Sequence, residues 1–81
     1  MEDRTAEQLA QDYSAMGDSV ALINAIIAGD SMADESAEDR QDCVDRNVAH
    51  LEIMKAKDDW GSESFTATDS AISAGKGYTA S

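Results

Sequence analysis

Six apolar residues, Leu9, Tyr13, Met16, Val20, Ile23 and Ile27, follow one another at spacings of 4, 3, 4, 3 and 4. Residues three and four apart share one face of an α-helix, whereas a strand would scatter this set over both faces of a sheet. The pattern commits the first third of the chain to a long amphipathic helix with a heptad-like seam. Leu22 and Ile26 widen the apolar face in its second half, where the helix is expected to meet two neighbours. Thr5-Ala6-Glu7-Gln8 reads as a capping box at the start, and Gly29 sits where a glycine ends a helix. Gly17 interrupts the middle at a cost of about 1 kcal/mol relative to Ala. Asp18 and Ser19 behind it are N-cap residue types, so a kink or short break there is the alternative.

The stretch from Ser36 to Trp60 reads as a second helix with two opposed faces. Val44, Val48 and Leu51 share one side. Glu38, Asp42, Asp45 and Glu52 share another, roughly 130° away at about 100° per residue. This helix is expected to start at Asp34 or Ser36, with acids in its first turn and Lys55 and Lys57 in its last, both favourable to the macrodipole. The connector before it, Asp30 to Glu35, is short and polar, as suits an antiparallel helical hairpin. Gly61 and the serines that follow break the chain. Thr66 or Thr68 is placed to cap a short third helix running through Ala74 and stopped by Gly75. No proline occurs, and no run of alternating β-branched residues or internal repeat is visible. The expected fold is all-α: an antiparallel hairpin of two longer helices plus a short C-terminal third helix. It forms one domain over residues 1–81, with 1–4 and 76–81 as loose ends.

Composition sets the size of the core. The chain has 81 residues, and fourteen of its apolar residues are Ala, so large apolar side chains are few. A domain this short buries only about 60–65% of the surface its unfolded chain exposes. One cysteine, Cys43, cannot form an internal disulfide, and no metal motif offers a staple. Either the helices pack closely through Ala or another chain completes the burial, and the second is the expectation. Seventeen acidic residues against six basic ones give a net charge of −11. Such a chain is repelled by nucleic acid and by anionic membranes. The polar start, MEDRTAEQ, does not resemble a signal peptide, and the longest strongly apolar run, Ala25 to Ala28, is too short to cross a bilayer. The reading is a soluble intracellular protein whose partners are other protein subunits, copies of itself included, with neither direct nucleic-acid binding nor a membrane.

Every candidate for chemistry fails on geometry. Cys43 and His50 lie on one side of the second helix, but seven residues separate them by about 10.5 Å along its axis. Zinc needs its ligands at roughly 2.0–2.3 Å, and no further Cys or His completes a site. The acidic run from Asp30 to Asp45 lacks the central glycine of a calcium loop. Paired carboxylates need a walled pocket to separate their pKa values, which a small hairpin hardly builds. Gly75-Lys76-Gly77 lacks the upstream glycine and the Ser/Thr of a P-loop. The chain is expected to be no enzyme and to carry neither cofactor nor metal.

Ile53 breaks the tidy pattern, falling on the wet side of the second helix about 180° from Val44. With Trp60 and Phe65 it forms the candidate partner-binding patch. The acidic face of Glu38, Asp42, Asp45 and Glu52 is the alternative contact surface.

Arg46-Asn47-Val48-Ala49-His50-Leu51-Glu52-Ile53-Met54, then Lys57-Asp58-Asp59-Trp60, then Ala71-Ile72-Ser73-Ala74-Gly75-Lys76-Gly77-Tyr78 resemble small acidic proteins encoded by tailed bacteriophages. The resemblance covers the C-terminal half and brings no site residues with it. It implies a phage-coded protein, present in the host cytoplasm during infection, that is either built into the virion or acts on the host. Two functions follow as expectations. One is a structural or accessory component of the particle at head, portal or tail. The other is an acidic DNA mimic that inhibits a host nucleic-acid-binding defence protein.

Overall fold

The structure is a computed structural model that describes residues 4–81. Three helices make it up: α1 (Ala6–Ala28), α2 (Ala37–Lys55) and α3 (Thr66–Lys76). α1 and α2 form the expected hairpin, α3 packs against both, and no strand occurs among the described residues. The fold measures 42 × 20 × 19 Å, an elongation set by α1, whose 23 residues alone span about 35 Å.

The helix ends form for local reasons. The Thr5 hydroxyl accepts from the Gln8 N–H at 3.1 Å, and the Gln8 side chain accepts from the Thr5 N–H at 2.9 Å, closing the capping box. Gly29, at φ 85°, ends α1 in the left-handed region that glycine adopts without cost, and Asp30 N–H then reaches back to Ala25 O at 2.8 Å. Of the two expected starts for α2, the chain uses Ser36, whose hydroxyl accepts from Asp39 N–H at 3.1 Å. α2 ends at Lys55, so Lys57 lies beyond it. α1 passes through Gly17 without a break. The connector is less purely polar than its composition implies. Met32 takes a left-handed φ of 56°, roughly 1–3 kcal/mol of local strain for a side-chain-bearing residue, and packs on the core.

The core consists of Met16, Ile23 and Ile26 from α1, Val44, Val48 and Leu51 from α2, Ala71 from α3, and Trp60 from the α2–α3 connection. The seam of α1 is corrected at one end: Ile26 is buried and Ile27 is 39% exposed. At about 100° per residue the buried residues Met16, Ser19, Ile23 and Ile26 share one stripe of α1, and Ile27, five turns after Leu9 and in line with it, lies at the edge of that stripe. Ile23, Val44 and Leu51 are fully enclosed by the chain itself. Ile27 and Ile53 are the large apolar residues left exposed among those described.

α3 departs most from expectation. It has no side-chain cap, because Thr68 is buried and Phe65 occupies the cap position with an open backbone. Gly75 does not stop it, since the helix runs on to Lys76. Gly75 is instead where α3 meets α2. A Cβ built there would overlap Val48 Cγ2 and lie 3.4 Å from Val44 Cγ1 and 3.6 Å from Ile23 Cγ2. Only a residue without a side chain lets the backbones come this close. Two ion pairs, Lys55 with Asp69 and Lys76 with Glu52, tie α3 to α2 from outside.

Neither end behaves as a loose one where it is described. Residues 1–3 lie outside the described residues, but Arg4 is held by side-chain bonds. At the other end the Gln41 amide spans the tail, donating to Tyr78 O at 3.2 Å and accepting from Ala80 N–H at 2.8 Å. Arg40 donates to Ser81 O at 2.8 Å. The tail backbone thus lies along the N-terminal half of α2.

Candidate interaction surface

The residues nominated as one patch separate in the structure. Ile53 is 66% exposed, on the side of α2 opposite buried Leu51. An open groove of about 290 Å³ runs between α2 and α3, lined by Glu52, Lys55, Ala56, Asp69 and Ile72, with Ile53 outside that lining. Ala56 and Ile72 are its apolar members, and the others carry charges of both signs.

Trp60 and Phe65 do not join Ile53. Trp60 is only 6% exposed, and its indole N–H donates to Met54 O at 2.8 Å. Phe65 is half-buried against the core. Both turn towards Tyr13 of α1, and the three rings meet edge to face. Centroids lie 6.1 Å apart for Tyr13 and Trp60, 6.2 Å for Tyr13 and Phe65, and 5.6 Å for Trp60 and Phe65. Such pairs contribute about 0.5–1.5 kcal/mol each beyond their burial. Tyr13 also donates its hydroxyl proton to Ser64 O at 2.5 Å. The aromatic group therefore fastens the α2–α3 connection onto α1.

A charged cage closes over this group. The Arg4 guanidinium binds Asp59 through two parallel bonds, Nε to Oδ2 at 3.0 Å and Nη2 to Oδ1 at 2.5 Å. Its third arm, Nη1, donates to Asp12 Oδ2 at 2.6 Å. Its Cζ lies 4.3 Å from the Trp60 ring centroid, within cation–π range. The Arg4 backbone N–H adds a bond to Asp59 Oδ2 at 3.1 Å. Hydrogen bonding from Arg4 holds the Asp59 carboxyl far below the usual carboxylate range. The same bonds to Asp59, then to Asp12, raise the Arg4 pKa further. Arg4, Asp12 and Asp59 share no periodicity in sequence, and no local signal joins them across 55 positions.

The acidic face keeps Glu38, Asp42, Asp45 and Glu52 exposed, but three of the four have partners within the chain. Asp42 pairs with Arg46 at 3.0 Å, Asp45 accepts from Gln41 at 3.0 Å, and Glu52 pairs with Lys76 at 2.7 Å. Arg40 turns to the carbonyls of Glu35 and Ser81. Cys43 and His50 are both half-buried, and Asn47 donates to the Cys43 carbonyl at 2.8 Å. No group of three or more potential metal ligands occurs among the described residues, and no helix among them is long and apolar enough to cross a membrane. Comparison with protein-family models, with curated proteins and with solved structures finds no match to this chain.

Proposed function

We propose that this chain is a non-enzymatic structural or accessory component of a phage particle, at head, portal or tail, acting through protein–protein contacts. The observation that carries the contact is Ile53. A large aliphatic side chain two-thirds exposed, the more exposed of the two large apolar residues left outside the core among those described, is a natural anchor for a partner. The phage setting rests on the resemblance of the C-terminal half. The protein acts in the host cytoplasm during infection and is carried into the particle with its partner.

A second reading is favoured by the exposure of Glu38, Asp42 and Asp45 along one face of α2. An acidic DNA mimic would use that face to occupy the nucleic-acid groove of a host defence protein. Its affinity would come from many charges acting together and would fall steeply with salt.

Capture of the native partner by variants at low and moderate salt separates the two. Ile53→Ser should cut capture by tenfold or more, in the range seen for anchor residues, about 1.4 kcal/mol per tenfold. Reversal of Glu38, Asp42 and Asp45 to Lys should leave it nearly unchanged. Loss of the partner by the Lys variant alone would establish the mimic instead. Mass spectrometry of purified particles tests the setting: absence of the chain from virions removes the structural assignment.

A further inference from the structure

We infer that the outer face of α2 is self-complementary and docks a second copy of this chain, the two α2 helices lying parallel about a two-fold axis. This rests on the Ile53 contact proposed above and names its occupant, and it is independent of the phage setting. α2 turns Val44, Val48 and Leu51 to the core, and Asp42, Arg46, Ala49, Ile53 and Ala56 on its opposite side are all exposed. Ile53, at 66%, marks the middle of that side. At about 100° per residue Ala49 and Ala56 lie about 40° and 60° to one side of it. The three form a short apolar seam with heptad spacing, Ile53 at an a position and the alanines at d.

The flanks of the seam select what covers it. Glu52 lies about 100° from Ile53 on the alanine side, and Lys57 about 40° away on the other. Ala56 keeps a helical backbone and the Lys57 N–H still reaches Met54 O at 3.2 Å, so the turn carries Lys57 to that flank. The two flanks beside Ile53 thus differ in sign. A basic partner helix would gain on the Glu52 flank and lose on the Lys57 flank, whereas a second copy gains on both. A two-fold axis parallel to α2 sets the acidic flank of each copy against the basic flank of the other; an axis perpendicular to α2 would set like against like. Glu52 and Lys57 then hold the g and e positions, which pair between helices and fix their orientation. Glu52 binds Lys76 through Oε2 at 2.7 Å and keeps Oε1 for Lys57 of the second copy. Arg46, at the N-terminal end of the seam, is held by Asp42 at 3.0 Å and brings no unpaired charge to it. Ile53 of each copy enters the space bounded by Ala49, Glu52, Ile53 and Ala56 of the other, where the alanines allow close approach. The net charge of −11 on each copy opposes that approach, so the dimer strengthens as salt screens the repulsion.

Sedimentation equilibrium of the full chain over a range of protein and salt concentrations tests the association. The parent should pass from monomer to dimer as its concentration rises, more readily at moderate than at low salt. Ile53→Ser should weaken the dimer by about tenfold or more without loss of helix signal. Glu52→Lys and Lys57→Glu should each weaken it, and an equal mixture of the two should associate more tightly than either alone. A Cys43→Ala background carrying Ala49→Cys or Ala56→Cys tests the arrangement. In a parallel dimer every seam residue faces its own counterpart, so both cysteine variants should cross-link under mild oxidation. In an antiparallel one, two positions about 10.5 Å apart along the axis cannot both meet their counterparts. Cross-linking of fewer than both variants, or a mixture no tighter than its components, would overturn the parallel arrangement. A monomer at every concentration, a dimer indifferent to Ile53→Ser, or one that salt dissociates would overturn the second copy as occupant. The Ile53 contact itself is judged apart, by capture of the native partner. A monomeric chain whose Ile53→Ser variant still loses that partner would retain the contact and give it to a different protein.

Discussion

Gly75→Ala and Gly17→Ala are the same substitution inside two helices of this protein, and they should move stability in opposite directions. Helix propensity alone predicts a gain of up to about 1 kcal/mol at each. Gly17 is exposed, with nothing within 4 Å of a built Cβ, so it should show that gain. At Gly75 the new methyl would overlap Val48 Cγ2, with Val44 Cγ1 and Ile23 Cγ2 close by at 3.4 and 3.6 Å. Val48 cannot swing aside, because a β-branched side chain in a helix holds essentially one χ1 rotamer. Relief therefore requires α3 to lift from α2. Overpacking of this kind costs roughly 1–3 kcal/mol, and the stiff neighbours place it at the upper end. Subtracting the propensity gain leaves a net loss of about 2 kcal/mol, or about 8–16 °C in Tm for a domain of this size. Val48→Ala alone should lose about 2 kcal/mol by leaving a cavity. Combined with Gly75→Ala it should lose no more than that, because the added methyl occupies space the valine vacates, giving a favourable coupling of about 2 kcal/mol. Urea melts of the four variants in the cycle, with Gly17→Ala as control, measure all of this. A Gly75→Ala variant as stable as the parent would refute the close contact of α3 with α2.

Two further outcomes follow from the core and the cage. Ile23→Asp or Leu51→Asp should unfold the chain at room temperature, since each side chain is fully enclosed and the new carboxylate would be buried without a partner at a cost of several kcal/mol; a parent-like circular dichroism melt for either would contradict the packing. The Asp59 carboxyl binds its proton more weakly in the folded chain than in the unfolded one, so its contribution is fully present above the ordinary carboxylate range and is lost as pH falls from about 4 towards the depressed folded value. Tm of the parent should accordingly fall more steeply with acid than Tm of Asp59→Asn, and parallel profiles would show that the Arg4 bonds do not stabilise the fold.

Much of this fold was legible because helices announce themselves by period and by their ends. The spacing from Leu9 to Ile23, the capping box at Thr5 and the glycine at position 29 each act within a few residues, and the structure uses all of them as local physics dictates. The misreadings arise where a second element intervenes. Gly75 reads as a helix stop when only its backbone freedom is considered, yet the contact with Val48 on another helix is what demands it. Thr68 reads as a cap by type, but its position faces α1 and α2, and it is buried. Ile27 obeys the heptad and is still 39% exposed, because the neighbouring helices cover the stripe of Met16, Ser19, Ile23 and Ile26 and leave the line of Leu9 and Ile27 at its edge.

Trp60 and Phe65 show a different limit, and it bears on where the protein can make contacts. Both lie in or at the edge of the α2–α3 connection, where no helical period assigns a side chain to a face. Their direction is set by Tyr13, about four turns before the end of α1 by sequence but adjacent in space, and by the hydrogen bond from Trp60 to Met54 O. An aromatic residue in a polar loop invites the reading of an exposed anchor. Here it closes the open end of a hairpin whose large apolar side chains are few. Turning the indole inward leaves its outer face to Arg4, and the guanidinium in turn brings Asp12 and Asp59 to the same place. The shortage of core therefore has two consequences at once. It draws Trp60 and Phe65 inward against Tyr13, and it leaves the outer face of the indole to the Arg4 guanidinium, which Asp12 and Asp59 hold in place.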